Sequence, residues 1–393
     1  MKYRVNPKNG DNLSTLGYGA MRLPKDEKLA GELLGYAIEN GVNYIDTAYM
    51  YAGNEALLGR ILSEKDSQGT LRDCVKIATK MPPYLVGKRE DFDKLFNIEL
   101  ERLRTDHVDY YLIHMLTDVA VWERFKSLGF LEWLHQKRES GQIINLGFSY
   151  HGGKDEFLKL LDAHDWDFCM IQYNYYDENN QAGKAGLLAA SARGLPVMIM
   201  EPLRGGKLVN GMPKSVYEIF DGAHVKRSPV EWALRWVWNH PQVTTVLSGM
   251  NSMAMLKENL RIASDAEPED FTERDFELFA KIRQLIEDAM LAPCTGCGYC
   301  MPCPKGVDIP TCFTSLNDIA IEGKRRAFTK YLMYTAATKE SSEASRCVKC
   351  GKCEKHCPQG IPIREKLELV QKELEGVLYK PARFFVKKFM RFS

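Results

Sequence analysis

The chain has 393 residues, more than one hydrophobic core usually serves, so two domains are expected. Apolar residues make up 45% and charged residues 27%, and 53 basic against 52 acidic side chains leave no overall electrostatic footprint for nucleic acid. No run of eighteen apolar residues occurs, and the N-terminus, MKYRVNPKNGDNLSTLG, lacks the apolar stretch of a signal peptide; neither a transmembrane segment nor export is expected, and the cytoplasm is.

A hairpin of Tyr3–Val5 and Asn12–Ser14 around Asn9 and Gly10 is expected first, placed to plug the floor of whatever follows. Short apolar, β-branched runs then recur at 16–22, 43–48, 75–81, 108–114, 144–150, 168–174, 197–203 and 244–250. The segments between them, such as 27–40, 89–104, 122–140 and 229–240, have the length and polarity of amphipathic helices. Strands buried on both faces and separated by helices make a parallel sheet. Eight such units in about 265 residues fit an α/β fold of the closed (β/α)8 TIM-barrel type over residues 1–265. An open dinucleotide-binding sheet fits less well, because no Gly-x-Gly-x-x-Gly follows an early strand.

Asp46, Lys80 and His114 fall at or near the C-terminal ends of three consecutive expected strands, each 34 residues after the last, the length of one strand-helix unit. Adjacent strands lie about 4.8 Å apart, so the three ends converge within about 10 Å at the face where barrel enzymes do their chemistry. Tyr51, in DTAYMYAGNE, reaches the same place. Singly, an Asp after a strand reads as a helix cap and a His as a satisfied core group, but an acid, an ammonium, a phenol and an imidazole together suit proton donation to a carbonyl oxygen. A neighbouring ammonium favours the phenolate, so Lys80 is expected to lower the Tyr51 pKa. Asp46 is expected to keep Lys80 charged and aimed, and His114 to hold or polarise the substrate oxygen.

The stretches NYIDTAYMYAGNEALLG, IATKMP, DYYLIHM, GQIINLGFSYH, IQYNYY, MEPLRGGKL and LSGMNSMAMLKENL resemble the aldo/keto reductases, over about residues 10–265. The resemblance implies a barrel that binds NADP or NAD without the dinucleotide-binding fingerprint and reduces aldehydes or ketones. It matches Asp46, Tyr51, Lys80 and His114 to the family's catalytic tetrad, with Tyr51 preferred to Tyr49 because the family's tyrosine follows its aspartate by five residues. Ser149 and Gln172 fall where the family holds the nicotinamide amide, and Gly249, Ser252, Glu258 and Asn259 in the segment around the adenosine phosphates. The chain departs from the family at Tyr150 and His151, at Met200 and Glu201 where a ring-stacking aromatic is usual, and at Gly249 and Met255 where basic side chains commonly grip a 2'-phosphate. Lys257 and Arg261 are the substitutes within reach, which leaves NAD against NADP open.

A boundary near 266–272 precedes a helix expected over 273–290 and a domain of residues 266–393. Nine of the eleven cysteines lie beyond residue 290, a crowding that in a reducing compartment points to metal. Cys294, Cys297, Cys300 and Cys303 are followed by proline, and so are Cys347, Cys350, Cys353 and Cys357, with CPKGVDIP echoed by CPQGIPI. Thiolates three apart in a tight loop embrace one cubane, and the cysteine before proline serves the other cluster in two-cluster ferredoxins. Two [4Fe-4S] clusters follow, one on Cys294, Cys297, Cys300 and Cys357 and one on Cys347, Cys350, Cys353 and Cys303, with Gly296, Gly298 and Gly351 giving the backbone room to turn. The likeness is to bacterial-type ferredoxins with a helical insert, here expected as helices over 314–330 and 331–344. Cys303 comes one residue early for the usual spacing, which leaves Cys312 as an alternative fourth ligand. Four-thiolate zinc also uses paired Cys-x2-Cys units, but three successive gaps of two offer more thiols per loop than a tetrahedral ion takes. Cys74 and Cys169 read as small buried apolar residues. The closing YKPARFFVKKFMRFS is basic and aromatic, a short terminal helix open to a partner protein, an anionic surface or the protein's own flank, with packing on the flank preferred because one short helix anchors weakly.

Nicotinamide chemistry moves two electrons and a cubane one, and no sequence feature announces a flavin between them. Three readings follow: a small-molecule carbonyl reductase whose clusters relay electrons to or from a redox protein partner, the same reductase with structural clusters, and an electron-carrier or scaffold module on a barrel without hydride chemistry.

Overall fold

The computed structural model describes every residue except 67–68, 295, 297, 337–340, 358 and 390–393, with main chain alone at 65–66, 321–322 and 387–389. The chain divides into two compact units, Met1–Gly205 with Val230–Phe271, and Gly206–Pro229 with Thr272–Ser393.

In the first unit, β1 (Leu16–Gly19), β2 (Tyr44–Asp46), β3 (Lys76–Met81), β4 (Val108–Leu116), β5 (Ile143–Tyr150), β6 (Phe168–Gln172), β7 (Val197–Met200) and β8 (Val243–Ser248) close into one parallel barrel, β8 pairing back onto β1. Helices separate the strands, as a parallel sheet requires. The strands are apolar on both faces because one face lines the barrel and the other meets helices. Tyr44, Ala78, Tyr110, Leu112, Phe168, Met170, Met198 and Leu247 fill the interior as one cluster, each side chain nearly or fully buried. Burying a side chain of this size contributes about 1.5–3 kcal/mol, so the interior layers are a main source of the unit's stability. The N-terminal hairpin pairs Tyr3 with Ser14 and Val5 with Asn12, and sends Leu13 into that same cluster. Tyr110 Oη donates to Asp11 Oδ2 at 2.6 Å and so ties the hairpin to the barrel. Gly147 is obligatory in β5, since a Cβ there would stand 2.5 Å from Phe168 O.

The second unit is helical and contains Lys214–Asp221, Glu273–Ala289, Ile309–Glu322, Lys324–Thr335, Ile363–Leu374 and Tyr379–Phe389. Asp308, just past the first cysteine loop, caps Ile309–Glu322, its Oδ1 accepting from Thr311 N at 3.1 Å. The helix expected over 314–330 instead breaks at Gly323, whose φ of 83° ends Ile309–Glu322 and lets the next helix begin. Phe313, Leu316, Tyr331, Leu367 and Val370 form the core, and the cysteine loops pack against it. Tyr379 and Val386 of the terminal helix join that core, whereas Phe384 is 69% exposed. Among the described residues no helix is long and apolar enough to cross a membrane.

Candidate active site and cysteine cradles

The two-residue period of a strand decides which side chains meet at the barrel mouth. Tyr44, Ala78 and Leu112 point inward, so Asp46, Lys80 and His114, two residues further along β2, β3 and β4, occupy the next layer up. Register agrees, with Asp46 opposite Ala78 and Lys80 opposite Leu112. All three are buried. The Lys80 Nζ donates to Asp46 Oδ1 at 2.6 Å, to Asp46 Oδ2 at 2.7 Å and to Thr47 O at 2.7 Å, and it is also hydrogen-bonded to the Tyr51 side chain. It lies 5.1 Å from the centre of the Tyr51 ring, and that ring stands edge-on to His114 with centroids 6.2 Å apart. Tyr49 is occupied elsewhere, with the Arg102 guanidinium 4.4 Å over its ring.

Burial alone would lower the Lys80 pKa, but Asp46 and Tyr51 outweigh it and hold the ammonium above the ordinary lysine value. The expected lowering of the Tyr51 phenol is corrected by burial. Desolvation pushes its pKa up, and the pull of Lys80 is smaller, opposed in turn by Asp46 and Glu201. Tyr51 is therefore protonated. Burial, with Lys80 and His151 adding to it, holds the His114 imidazole well below its usual value and so neutral; its Nδ1 is buried without a hydrogen-bond partner among the described residues.

Ser149 and Gln172 continue the inward faces of β5 and β6. Ser149 Oγ accepts from Met115 N at 2.8 Å, where β4 bulges and Met115 adopts a φ of 59°. Gln172 is held at both ends of its amide, Nε2 donating to Asp177 Oδ2 and Oε1 accepting from Gln181 Nε2, each at 2.7 Å. Asp177 in turn pairs with buried Arg204 at 3.0 Å, whose guanidinium lies 4.8 Å over Tyr176. Asp177, Gln181 and Arg204 were not singled out by the sequence. The polar run DENNQ, beginning five residues past the end of β6, and the Arg in PLRGG were the available signals. Beyond β8, Ser252 caps the helix Met253–Asp265, accepting from Met255 N, and Asn259 Nδ2 donates to Ser248 Oγ at 2.7 Å. Gly249 is exposed and Glu258 half-buried in the same stretch. Of the two substitute cations, Arg261 pairs with Glu231 at 2.5 Å and Lys257 lies 5.4 Å over Tyr36.

In the second unit the thiols line two concavities. Cys294, Cys300 and Cys357 face one of about 300 Å³. Cys303, Cys347, Cys350 and Cys353 face the other, of about 330 Å³. Each concavity thus takes the proline-preceding cysteine of the opposite loop. Cys297 lies outside the described residues. Cys312 lines neither, being fully buried with its Sγ 4.0 Å from Ser342 O. The two loops repeat a backbone device: the second and fourth residues after the first cysteine have positive φ, Gly296 at 76° and Gly298 at 81°, Lys349 at 58° and Gly351 at 71°. In each, the second residue's N–H donates to the first cysteine, Gly296 N to Cys294 Sγ at 3.3 Å and Lys349 N to Cys347 Sγ at 3.4 Å. Four thiols on the second concavity and three described ones on the first, with a main-chain N–H aimed at sulfur in each loop, are a fitting donor set for iron-sulfur clusters. Cys169 is buried as expected, but Cys74 ends the short turn Leu71–Cys74 ahead of β3 and is exposed.

A closed parallel barrel with this set of groups at its C-terminal rim places the first unit among barrel oxidoreductases. Residues 15–275 match the aldo/keto reductase family, and residues 293–361 match the 4Fe-4S dicluster domain. The chain belongs to the aldo/keto reductase family. It is similar to the methylglyoxal reductase YeaE of Escherichia coli (strain K12), 26% identical over 279 residues that cover 67% of this chain and 93% of that protein. The aldo-keto reductase AKR11C1 of Bacillus halodurans, in its holo form, shares the fold with a TM-score of 0.60 at 23% identity, over 72% of this chain and 96% of that one. So does an aldo/keto reductase of Klebsiella pneumoniae in complex with NADP and acetate, with a TM-score of 0.56 at 23% identity, over 73% and 96%.

Proposed function

We propose that the barrel, residues 1–265, reduces a small aldehyde or ketone with NADP or NAD, and that residues 266–393 carry two [4Fe-4S] clusters in the cytoplasm. The observation that carries the first part is Lys80, fixed by Asp46 and Thr47 beneath the Tyr51 ring. A nicotinamide held by Ser149 and Gln172 would supply a hydride for such a carbonyl. Tyr51, kept protonated by burial, gives its proton to the carbonyl oxygen as charge develops there. Lys80 stabilises the phenolate left behind, Asp46 keeps the ammonium charged and oriented, and neutral His114 polarises the same oxygen through a ring N–H. Ser149 and Gln172 line the side of the mouth where the nicotinamide amide belongs, and Gly249, Ser252, Glu258 and Asn259 the segment for the adenosine phosphates, all assigned from the family pattern. Asp177, Gln181 and Arg204 hold Gln172 in place.

For the tail, Cys294, Cys297, Cys300 and Cys357 would hold one cluster and Cys303, Cys347, Cys350 and Cys353 the other, and such clusters exchange single electrons. The test of the barrel reading is NADPH or NADH oxidation by small aldehydes. Tyr51→Phe is expected to lower kcat/KM by about 10²–10⁴-fold, while Tyr49→Phe stays within roughly threefold of the parent, inside the scatter of a removed hydroxyl without a role. Unchanged turnover in Tyr51→Phe would defeat the assignment. Iron and acid-labile sulfide on anaerobically purified protein test the tail.

A further inference from the structure

The two cradles differ in what surrounds them. The concavity of Cys294, Cys300 and Cys357 is lined by apolar and amide groups such as Ile309, Phe313 and Gln359, with no charged residue among its described lining, and one cation, Lys207, comes near its loop, its Nζ 3.7 Å from where a Cβ on Gly296 would stand. The other is walled in part by Lys305 and Arg364. Lys349, Lys352 and Lys355 stand exposed in its loop, and Arg346 lies alongside with Nε donating to Lys305 O at 2.9 Å. Two of these cations are neutralised, Arg364 by Glu354 and Lys349 by Glu368. Lys305, Arg346, Lys352 and Lys355 form no ion pair among the described residues, and all four are exposed. Within this rim Val348 is 57% exposed, next to the half-buried Cys347, and Cys350 is exposed too.

We propose that this rim docks a small acidic protein that carries one electron at a time, an inference that rests on the reading of the cradle as a cluster site. An apolar centre inside a charged rim is the anatomy of a protein interface, and uncompensated charge of one sign steers an oppositely charged partner into place. Each encounter transfers one electron and no atom, the reduced carrier losing the electron that the chain gains. A second copy of the chain would bring the same positive rim and be repelled. Residues 345–366 contain no Phe, Tyr or Trp on which a base could stack, which favours a protein over a nucleic acid.

The experiment uses the full chain, reconstituted anaerobically, with an immobilised acidic two-cluster ferredoxin as probe and a basic cytochrome c and a mixed-sequence RNA oligonucleotide as controls. The association rate with ferredoxin is expected to fall at least about tenfold between low and high salt. It should drop by roughly 10–100-fold in K352E/K355E and several-fold in K305E, and persist in K352R/K355R. Carbonyl turnover and iron and sulfide content stay at the parent's level. Should K352E/K355E lose iron, K305E, outside the Cys347 loop, decides. Association unaffected by these reversals, equal binding of the cytochrome, or tighter lysine-dependent binding of the RNA overturns docking alone, provided iron and sulfide are present. Absent iron and sulfide overturn the cluster reading and the docking with it.

Discussion

At the barrel mouth, Asp46 and Lys80 hold each other at 2.6 Å, the carbonyl of Thr47 also accepts from the ammonium, and the pair sits on two hydrogen-bonded strands. In the cradles the thiols line concavities on loops, and main-chain N–H groups of Gly296 and Lys349 donate to Cys294 and Cys347. The Lys80–Asp46 pair of the first site is satisfied by the protein's own atoms, though, among the described residues, His114 Nδ1 is not; the second is shaped for atoms that come from elsewhere. Burial therefore tunes the first, whereas binding stabilises the second.

Removing iron should break this comparison most visibly. A structural thiolate site contributes on the order of 10 kcal/mol to folding, so chelation is expected to abolish amide protection across residues 292–374 while β1 to β8 keep theirs. Hydrogen exchange read by mass spectrometry checks this, and equal loss in both units would contradict it. At the barrel the sharper tool is Lys80→Met, which strands a buried carboxylate. A cost of about 3–5 kcal/mol is expected in urea unfolding, with part recovered in Lys80→Met combined with Asp46→Asn. No recovery would mean that the ion pair is not what holds the site.

The smallest effect is on pH. Burial, with Lys80 adding to it and Gln181 opposing, holds His151 down to about 4 against an ordinary 6.5, and His114 lies well below as well. Both are neutral in the folded chain, while the unfolded chain binds protons below about 6.5. Their contribution is complete above that value and is lost as pH falls from there toward about 4, by at most about 3 kcal/mol for His151. Thermal unfolding of His151→Gln against pH should show a flatter acid limb than the parent.

Much of the barrel was legible because a strand buried on both faces leaves a long apolar run, and eight such runs recur. Several expected strands ran too far at their C-terminal ends. The run at 168–174 stops at Gln172 and the run at 197–203 at Met200, because the apolar or aromatic composition continues into turns after the last ladder bond. Asp46, Lys80 and His114 could be brought to one face from spacing alone. The protonation of Tyr51 could not, since it depends on how desolvation balances against Lys80, and burial is a property of the packed mouth. The clamp on Gln172 was hidden for a related reason: Asp177, Gln181 and Arg204 come from loops, where no periodicity predicts who meets whom. In the tail, cysteine spacing carried the pattern of the cradles, while Gly323 cut the intervening helices at a place that helical periodicity alone did not mark.

The exchange of Cys303 and Cys357 between the two cradles also bears on how the tail matures. Residues 304–346 run from one crossing thiol to the loop that receives it, so filling either cradle closes that span and brings the other cradle's thiols into place, at an entropy that need be lost only once. Under the proposed ligand sets, loading is then a paired event, and half-loaded molecules are the scarce species in any maturing population.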